Sequence, residues 1–369
     1  MEPDLKQVKE ENSNPEIRHD YDEFDDFKKI DKKWTSGNKE LDDLIKELQL
    51  KAKYKDKVME WIPYDRLENI QKIDEGTFDT IYSAIWLDGK RIYLKKNNKL
   101  ILSRKKCKVT LKEPNKLFHK GIFEKFKTFA EFGNQKNFFE VYGITRHPET
   151  EQYMIVCQYA NGNLREYLDA NFKKLTWEDK LKLLFSVAYN LSLIHNMGYV
   201  HKNLQSENIY VNTNVTNTTA YIFDFWWCNK IEDDNTVDDD IQEVLNYVFD
   251  YAAPEILSLS SEFTTAADIY SFGVILTEAS KGIRPYSDLD VGKTKLALMI
   301  AKRGLRPEFG EGTPKPYINL AKQCMDANPE KRPSAEKICQ ILFNWYRIFD
   351  FDLECLNEEE LQMRKADEK

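Results

Sequence analysis

The apolar positions are distributed unevenly, and their spacing divides the chain into segments of different character. Residues 1–35 are rich in Asp, Glu and Lys with few apolar positions, so they cannot bury enough surface to offset the entropy lost on ordering. Residues 350–369 are charged in a similar way. We therefore predict a disordered tail at the start of the chain and a solvated, charged tail at its end.

An amphipathic helix and a linker are predicted in residues 36–66. The helix follows Asn38, a residue type that caps helices. Its apolar positions recur at helical spacing; they are Leu41, Leu44, Ile45, Leu48 and Ala52. Such a stripe has to be buried against something. The helix either packs on the chain's own folded part, which we favour, or binds a partner.

Short β-branched and aromatic runs dominate residues 67–156. Two of these runs flank Asp88-Gly89, a dipeptide typical of a two-residue hairpin turn, so we predict strand, turn and strand in that order. Beyond about residue 160 the spacing becomes helical, with a capping box that begins at Thr176. The pattern predicts a small β-rich part followed by a larger helical part in residues 157–349.

Composition excludes several classes of protein. The net charge of -8 argues against non-specific nucleic-acid binding, and no apolar run approaches the roughly 18 residues that a membrane span requires. The six cysteines are scattered, without a CxxC pair or clustered histidines, so neither a zinc site nor a disulfide framework is indicated. We expect a soluble, intracellular protein of the cytoplasm that binds no nucleic acid and has no membrane span.

Several motifs follow one another in a fixed order. A run containing Gly76, "IDEGTFDTIYSAIW", lies between two predicted strands, as a phosphate-covering loop would. The later motifs are "HKNLQSENIYVN", "YIFDFWW", "YAAPEIL", "DIYSFGVIL", "GIRPY" and "CMDANPEKRPS". Together they resemble the protein-kinase family, in its tyrosine-kinase-like group, from about Leu67 to about Phe349. The resemblance implies an α+β bilobal fold, in which a small β-rich N-lobe (67–156) precedes a hinge and a larger α-helical C-lobe (157–349).

The resemblance also implies a nucleotide site at the cleft between the lobes. Ile73 and Ile81 would sandwich the adenine of ATP, and Gly76 would lie in the loop over the phosphates. Gln158 and Ala160 would belong to the hinge segment that hydrogen-bonds the adenine edge.

The catalytic and metal positions are implied in the same way. Lys95, in a predicted strand, would reach the α and β phosphates, with Glu124 of the following helix as its partner. Asn208 and Asp224 would hold Mg²⁺, which bridges phosphate oxygens and neutralises developing charge. Three further residues would have scaffold roles: Glu255 paired with Arg332, and Asp268 bracing the catalytic-loop backbone.

Five positions depart from the family pattern. Asn203 stands where the family has the Asp that accepts the substrate's hydroxyl proton, and a carboxamide cannot usefully take up a proton near neutral pH. Trp226 replaces a glycine, which we expect to displace the turn that carries Asp224. Two further glycines of the phosphate loop are replaced by carboxylates, and a bulky phenol stands where a small residue would lie above the adenine; these are Asp74, Asp79 and Tyr93.

Two functions are compatible with this pattern. The first is a pseudokinase, a signalling or scaffolding module that docks other proteins and binds ATP and magnesium weakly or not at all. The alternative is a weakly active ATP-dependent protein kinase that transfers phosphate to Ser/Thr or Tyr side chains, because positioning and metal electrostatics carry most of phosphoryl transfer. Both imply protein partners or a protein substrate, and neither fixes the oligomeric state.

Overall fold

The computed structural model describes residues 34–76, 79–96, 99–115, 121–214, 217–231, 249–258, 262–350 and 356–367. It shows the α+β fold of two lobes that the sequence predicts, with a sheet in the first lobe and helices in the second. Nearly all of the predicted N-terminal tail lies outside the described residues. No helix in the described ranges is long and apolar enough to cross a membrane.

The first lobe is built on a six-stranded sheet. Its strands are β1 (Glu60–Trp61), β2 (Leu67–Glu75), β3 (Asp79–Lys96), β4 (Lys99–Pro114), β5 (Val141–Arg146) and β6 (Tyr153–Gln158). Their order in the sheet is β1-β5-β6-β4-β3-β2, and all neighbours are antiparallel except β1 and β5. Two helices complete the lobe, α1 (Lys39–Lys51) and α2 (Ile122–Gly133).

Our prediction of a hairpin turn at Asp88-Gly89 is wrong. Strand β3 continues through both residues, and its pairing with β4 shifts register there, which is a β-bulge. Gly89 has a φ of 71°, and a Cβ at this position would lie 1.9 Å from the carbonyl oxygen of Lys105. A bulge needs the left-handed backbone conformation as much as a tight turn does, so the dipeptide marks the bulge of a much longer hairpin.

Helix α1 packs on the chain's own first lobe, as we favoured from the sequence. Asn38 caps it, because its side-chain oxygen accepts a hydrogen bond from Leu41 N at 3.2 Å. Leu41 and Ile45 are fully buried in the same core as α2. The apolar stripe of this helix is therefore used for folding.

The second lobe is mostly helical. Its helices are α3 (Leu164–Asn171), α4 (Trp177–Asn196), α5 (Pro254–Leu257), α6 (Thr265–Lys281), α7 (Lys293–Arg303), α8 (Lys315–Cys324) and α9 (Ala335–Arg347). Short strands also belong to this lobe: β7 (Gly162–Asn163), β8 (Tyr199–Val200), β9 (Ile209–Asn214), β10 (Asn217–Ile222) and β11 (Asn229–Lys230). The Thr176 capping box is present, and Arg332 binds Glu255 through two contacts of 2.6 and 2.8 Å. Both predictions are confirmed.

Our prediction of a solvated, charged tail at residues 350–369 is also wrong in part. Residues Glu358–Ala366, expected in a solvated tail, form helix α10, which Asn357 caps. Met363 is fully buried in the main core, and Arg364 Nη1 donates to the carbonyl oxygen of Ile348 at 2.7 Å. The charged composition of this segment concealed the apolar side chain that docks the helix.

Candidate active site

The loop after β8 carries the candidate catalytic position, and Asp268 of helix α6 hydrogen-bonds to the backbone of this loop. Asp268 accepts hydrogen bonds from the backbone N–H groups of His201 and Lys202 at 2.8 and 2.9 Å, and it contacts His195 Nε2 at 2.9 Å. Lys202 adopts a φ of 66°, a conformation that these bonds stabilise. The predicted bracing role of Asp268 is confirmed.

Asn203 lies at the centre of a buried polar cluster. Its side-chain Nδ2 donates to Asp224 Oδ2 at 3.1 Å, and its Oδ1 accepts from Gln205 Nε2 at 3.0 Å. Asn208 Nδ2 in turn donates to the backbone oxygen of Asn203 at 2.8 Å. The structure thus brings together three of the residues predicted for this site. Both polar atoms of the Asn203 carboxamide are already used within the chain.

A buried lysine of β4 completes the cluster. Lys112 is 2% exposed, and its Nζ lies 2.8 Å from Asp79 Oδ2 and 3.2 Å from Asp224 Oδ1. Burial alone would lower the pKa of Lys112, but the charges of Asp224 and Asp79 outweigh it and raise that pKa well above its usual range. Burial raises the pKa of Asp224, and the charge of Lys112 offsets part of that rise. Lys112 is therefore a cation that two carboxylates share.

Asp79 is held from a second side by Trp226. The indole Nε1 donates to Asp79 Oδ2 at 2.9 Å, so this one oxygen accepts from both Trp226 and Lys112. Trp226 is fully buried and packs against Phe129 of α2, with ring centroids 5.1 Å apart. A carboxylate from the β2–β3 hairpin is thereby fixed against the lysine.

The turn around Asp224 departs from our expectation for Trp226. Among the described residues, the positive φ in this turn belongs to Asp224, at 79°, and Trp226 has a negative φ. Trp226 therefore does not need the freedom that glycine would give, and Asp224 still contacts Lys112 and Asn203. The expected displacement of this turn is not observed.

Asp224 and Asn208 offer oxygen atoms of the type that Mg²⁺ binds. Each carboxylate oxygen of Asp224 already contacts one donor, Lys112 or Asn203. Within the described ranges, no group of three or more His, Cys, Asp or Glu residues could hold a metal ion. The two residues fit a magnesium ion chemically, provided that the Lys112 or the Asn203 donor gives way.

Comparison with known proteins identifies the family of the chain. Residues 67–342 match the family model described as protein tyrosine and serine/threonine kinase. The chain belongs to this family.

Three similar relatives are two probable serine/threonine-protein kinases of Dictyostelium discoideum and the tyrosine-protein kinase SPK-1 of Girardia tigrina, at 26%, 24% and 24% identity. The matches cover 77%, 76% and 73% of this chain. They span 16%, 28% and 51% of those three proteins, so the relatives are longer than the part that this chain resembles.

The structure corrects the position that the sequence analysis gave to Lys95. Lys95 pairs with Leu100 near the end of the β3–β4 hairpin, whereas Lys112 pairs with Ile81 beside Asp79. The strand between Ile81 and Lys95 covers about 46 Å at about 3.3 Å per residue. Lys95 is therefore remote from this cluster, and Lys112 is the lysine that contacts Asp224.

The misplaced turn at Asp88-Gly89 caused this error, because it made the run before Lys95 look like the strand that carries the lysine. A better signal was available in "VTLK", Val109 to Lys112, which resembles the family's V-A-I-K strand motif. Tyr93 was placed above the adenine because it precedes Lys95 by two residues. Since Lys95 lies far from the site, Tyr93 does not lie there either. It is 42% exposed on the hairpin, and Thr110 precedes the site lysine by two residues instead.

The proposed partner Glu124 is not at the site either. It is exposed on α2, whose buried face carries the aromatic residues Phe126, Phe129 and Phe132. Among the described ion pairs of Lys112, the carboxylates come from Asp79 and Asp224. Asp79, which the sequence suggested only as an obstacle to phosphate, is thus a residue of the candidate site whose contact with Lys112 we missed.

The remaining predicted binding residues lie on the first lobe and on the segment that leads out of it. Ile73 is 53% exposed on β2, and Ile81 is half-buried on β3. Gly76 N donates to the backbone oxygen of Asp79 at 2.9 Å, so the predicted phosphate loop is the turn that positions Asp79. Gln158 ends β6, and Ala160 follows it in the segment that leads into the second lobe.

Proposed function

We propose that this kinase domain is a pseudokinase of the tyrosine-kinase-like group, which acts as a signalling or scaffolding module and binds ATP weakly or not at all. The contact between Lys112 and Asp79 carries the proposal. In an active kinase this lysine is the cation for the nucleotide phosphates. Here its carboxylate partner Asp79 comes from the predicted phosphate loop and not from the following helix, so a carboxylate stands where the phosphates would bind.

Electrostatics indicates how much this contact opposes nucleotide binding. A phosphate that approaches Lys112 meets the charge of Asp79, and two like charges 4 Å apart repel by about 4 kcal/mol at an effective dielectric constant of about 20. This corresponds to on the order of a thousandfold in affinity. Asp79 cannot withdraw without breaking its hydrogen bond to Trp226 as well. Weak binding or none is the expected result.

The catalytic base position supports the same proposal. Asn203 has no carboxylate to accept a proton, and its amide is bonded to Asp224 and Gln205. Loss of a general base typically costs about 10²- to 10⁴-fold in rate. Together with the contact between Lys112 and Asp79, this supports protein docking as the proposed function.

A weakly active kinase is the second candidate, because Lys112, Asp224 and Asn208 are all retained at one place. In that case Lys112 would bind phosphate, and Asn208 with Asp224 would hold Mg²⁺. The bound ion would neutralise charge on the transferred phosphoryl group. Asn203 would orient the acceptor hydroxyl by hydrogen bonding without taking its proton.

A radiolabelled-phosphate transfer assay with magnesium distinguishes the two candidates. We expect the unmodified protein to transfer no more phosphate than Lys112→Met, and Asn203→Asp alone to restore little. Combining Asn203→Asp with Asp79→Gly should raise transfer far above the product of the separate effects, because these residues act as a unit. Transfer by the unmodified protein that Lys112→Met abolishes would favour the weakly active kinase.

A further inference from the structure

The distal part of the β3–β4 hairpin extends beyond the sheet as a two-stranded ribbon. Among the described strands, β2 pairs with β3 only as far as Trp86, and β6 pairs with β4 only from Val109 onward. From Lys90 to the end of the hairpin, the described partners of β3 are residues of β4. The ribbon does not take part in the cluster around Lys112.

Ion pairs fix the base of this ribbon to the first lobe. Arg91 Nε and Arg104 Nη2 contact the two oxygens of Glu60 at 3.0 and 2.5 Å. Lys90 Nζ contacts Glu140 at 2.7 Å. The ribbon is therefore presented in a defined direction, and these basic side chains near its base are already paired with carboxylates of the first lobe.

Apolar side chains are exposed on both faces of the distal ribbon. Tyr93 pairs with Leu102, and Leu94 pairs with Ile101. These four side chains are 42%, 36%, 48% and 48% exposed. Because successive residues of a strand point to opposite faces, each face carries one apolar pair. A protein surface docked on one face would leave the other pair in water, whereas a lipid surface can surround both.

The charge of the same segment favours a negatively charged surface. Residues 92–103, "IYLKKNNKLILS", contain three lysines and no acidic residue, although the whole chain has 62 acidic against 54 basic residues. A basic segment with aromatic and aliphatic side chains is the composition of interfacial membrane anchors. Tyrosine is also enriched at membrane–water interfaces.

We propose that the distal part of this hairpin, residues 92–96 and 99–103, binds the surface of a bilayer that contains anionic phospholipid. The Tyr93, Leu94, Ile101 and Leu102 side chains enter the boundary between headgroups and acyl chains, and Lys95, Lys96 and Lys99 supply attraction to the negative surface. The kinase domain is thereby held at a membrane surface. The proposal is independent of whether the domain binds nucleotide.

Vesicle co-sedimentation of the full chain tests the proposal. We expect binding to vesicles of phosphatidylcholine with phosphatidylserine and little binding to phosphatidylcholine alone. Replacing Lys95, Lys96 and Lys99 by Gln should weaken binding on the order of 100-fold, at about fivefold per lysine. The matched control removes three lysines exposed on the second lobe, Lys173→Gln, Lys174→Gln and Lys331→Gln, and should bind like the unmodified protein.

A second variant tests the apolar contribution. Leu94→Ser with Ile101→Ser should also weaken binding, and its melting temperature should stay near that of the unmodified protein because both side chains are half exposed. In Tyr93→Trp, the fluorescence of the new indole should shift to shorter wavelength when anionic vesicles are added. Equal binding by the triple-lysine variant and the control would overturn the proposal. So would absence of vesicle binding, including the case in which the hairpin lysines instead bind an RNA oligonucleotide.

Discussion

Replacing Lys112 by methionine removes the one cation between two buried carboxylates. Asp79 and Asp224 are 7% and 5% exposed, so neither can exchange the lysine for bulk water. Breaking a buried pair by removing one partner typically costs about 3–5 kcal/mol, because the remaining charge is buried without compensation. Since two carboxylates lose their shared partner, we expect Lys112→Met to lower the free energy of unfolding by an amount near the upper end of this range.

Urea unfolding followed by circular dichroism measures this change. Lys105→Met is the matched control, because Lys105 is an exposed lysine of the same strand and surface substitutions usually stay within about 0.5 kcal/mol. Adding Asp79→Asn to Lys112→Met should recover part of the loss, because it removes one of the two uncompensated charges. A cost for Lys112→Met that matches the control would refute the reasoning.

Two other predictions concern the second lobe. Burial lowers the pKa of His201 from 6.5 to about 4, so the stability that its neutral ring provides above about pH 6.5 is lost as the pH falls toward 4. The loss should reach about 3 kcal/mol, and His201→Phe should unfold in urea without this part of the pH dependence; an identical pH dependence in both proteins would contradict this. Met363→Ala should cost about 2–5 kcal/mol in the same unfolding assay because the side chain is fully buried, whereas Glu359→Ala, on the exposed side of α10, should cost little. Equal costs would show that α10 is not docked.

The fold was largely predictable from local patterns. Helical spacing and caps identified α1 and α4, and the motifs of the second lobe identified Asp268 and the Glu255–Arg332 pair, which the structure confirms. These features depend on residues close in sequence or on motifs with fixed spacing. A sequence pattern predicts the structure reliably where only one local conformation of the chain is compatible with it.

The errors arose where one pattern fits two arrangements. Asp88-Gly89 satisfies a hairpin turn and a bulge equally well, and the wrong choice moved the site lysine from Lys112 to Lys95. The role of Asp79 could not be read locally, because it depends on contacts with Lys112 and Trp226, which is 147 residues away in sequence. A substitution that seemed only to repel phosphate is, in three dimensions, the partner of the lysine.

The most direct test of the account is a calorimetric titration of ATP and magnesium into the unmodified protein and into Asp79→Asn. Asp74→Asn is the control, since Asp74 is an exposed carboxylate of the same hairpin. We expect weak or undetectable binding by the unmodified protein and by the control, and at least about tenfold tighter binding by Asp79→Asn, because about 1.4 kcal/mol of the repulsion suffices for that factor. Submicromolar binding by the unmodified protein, or equal affinity in all three proteins, would contradict the claim that Asp79 occupies the phosphate site.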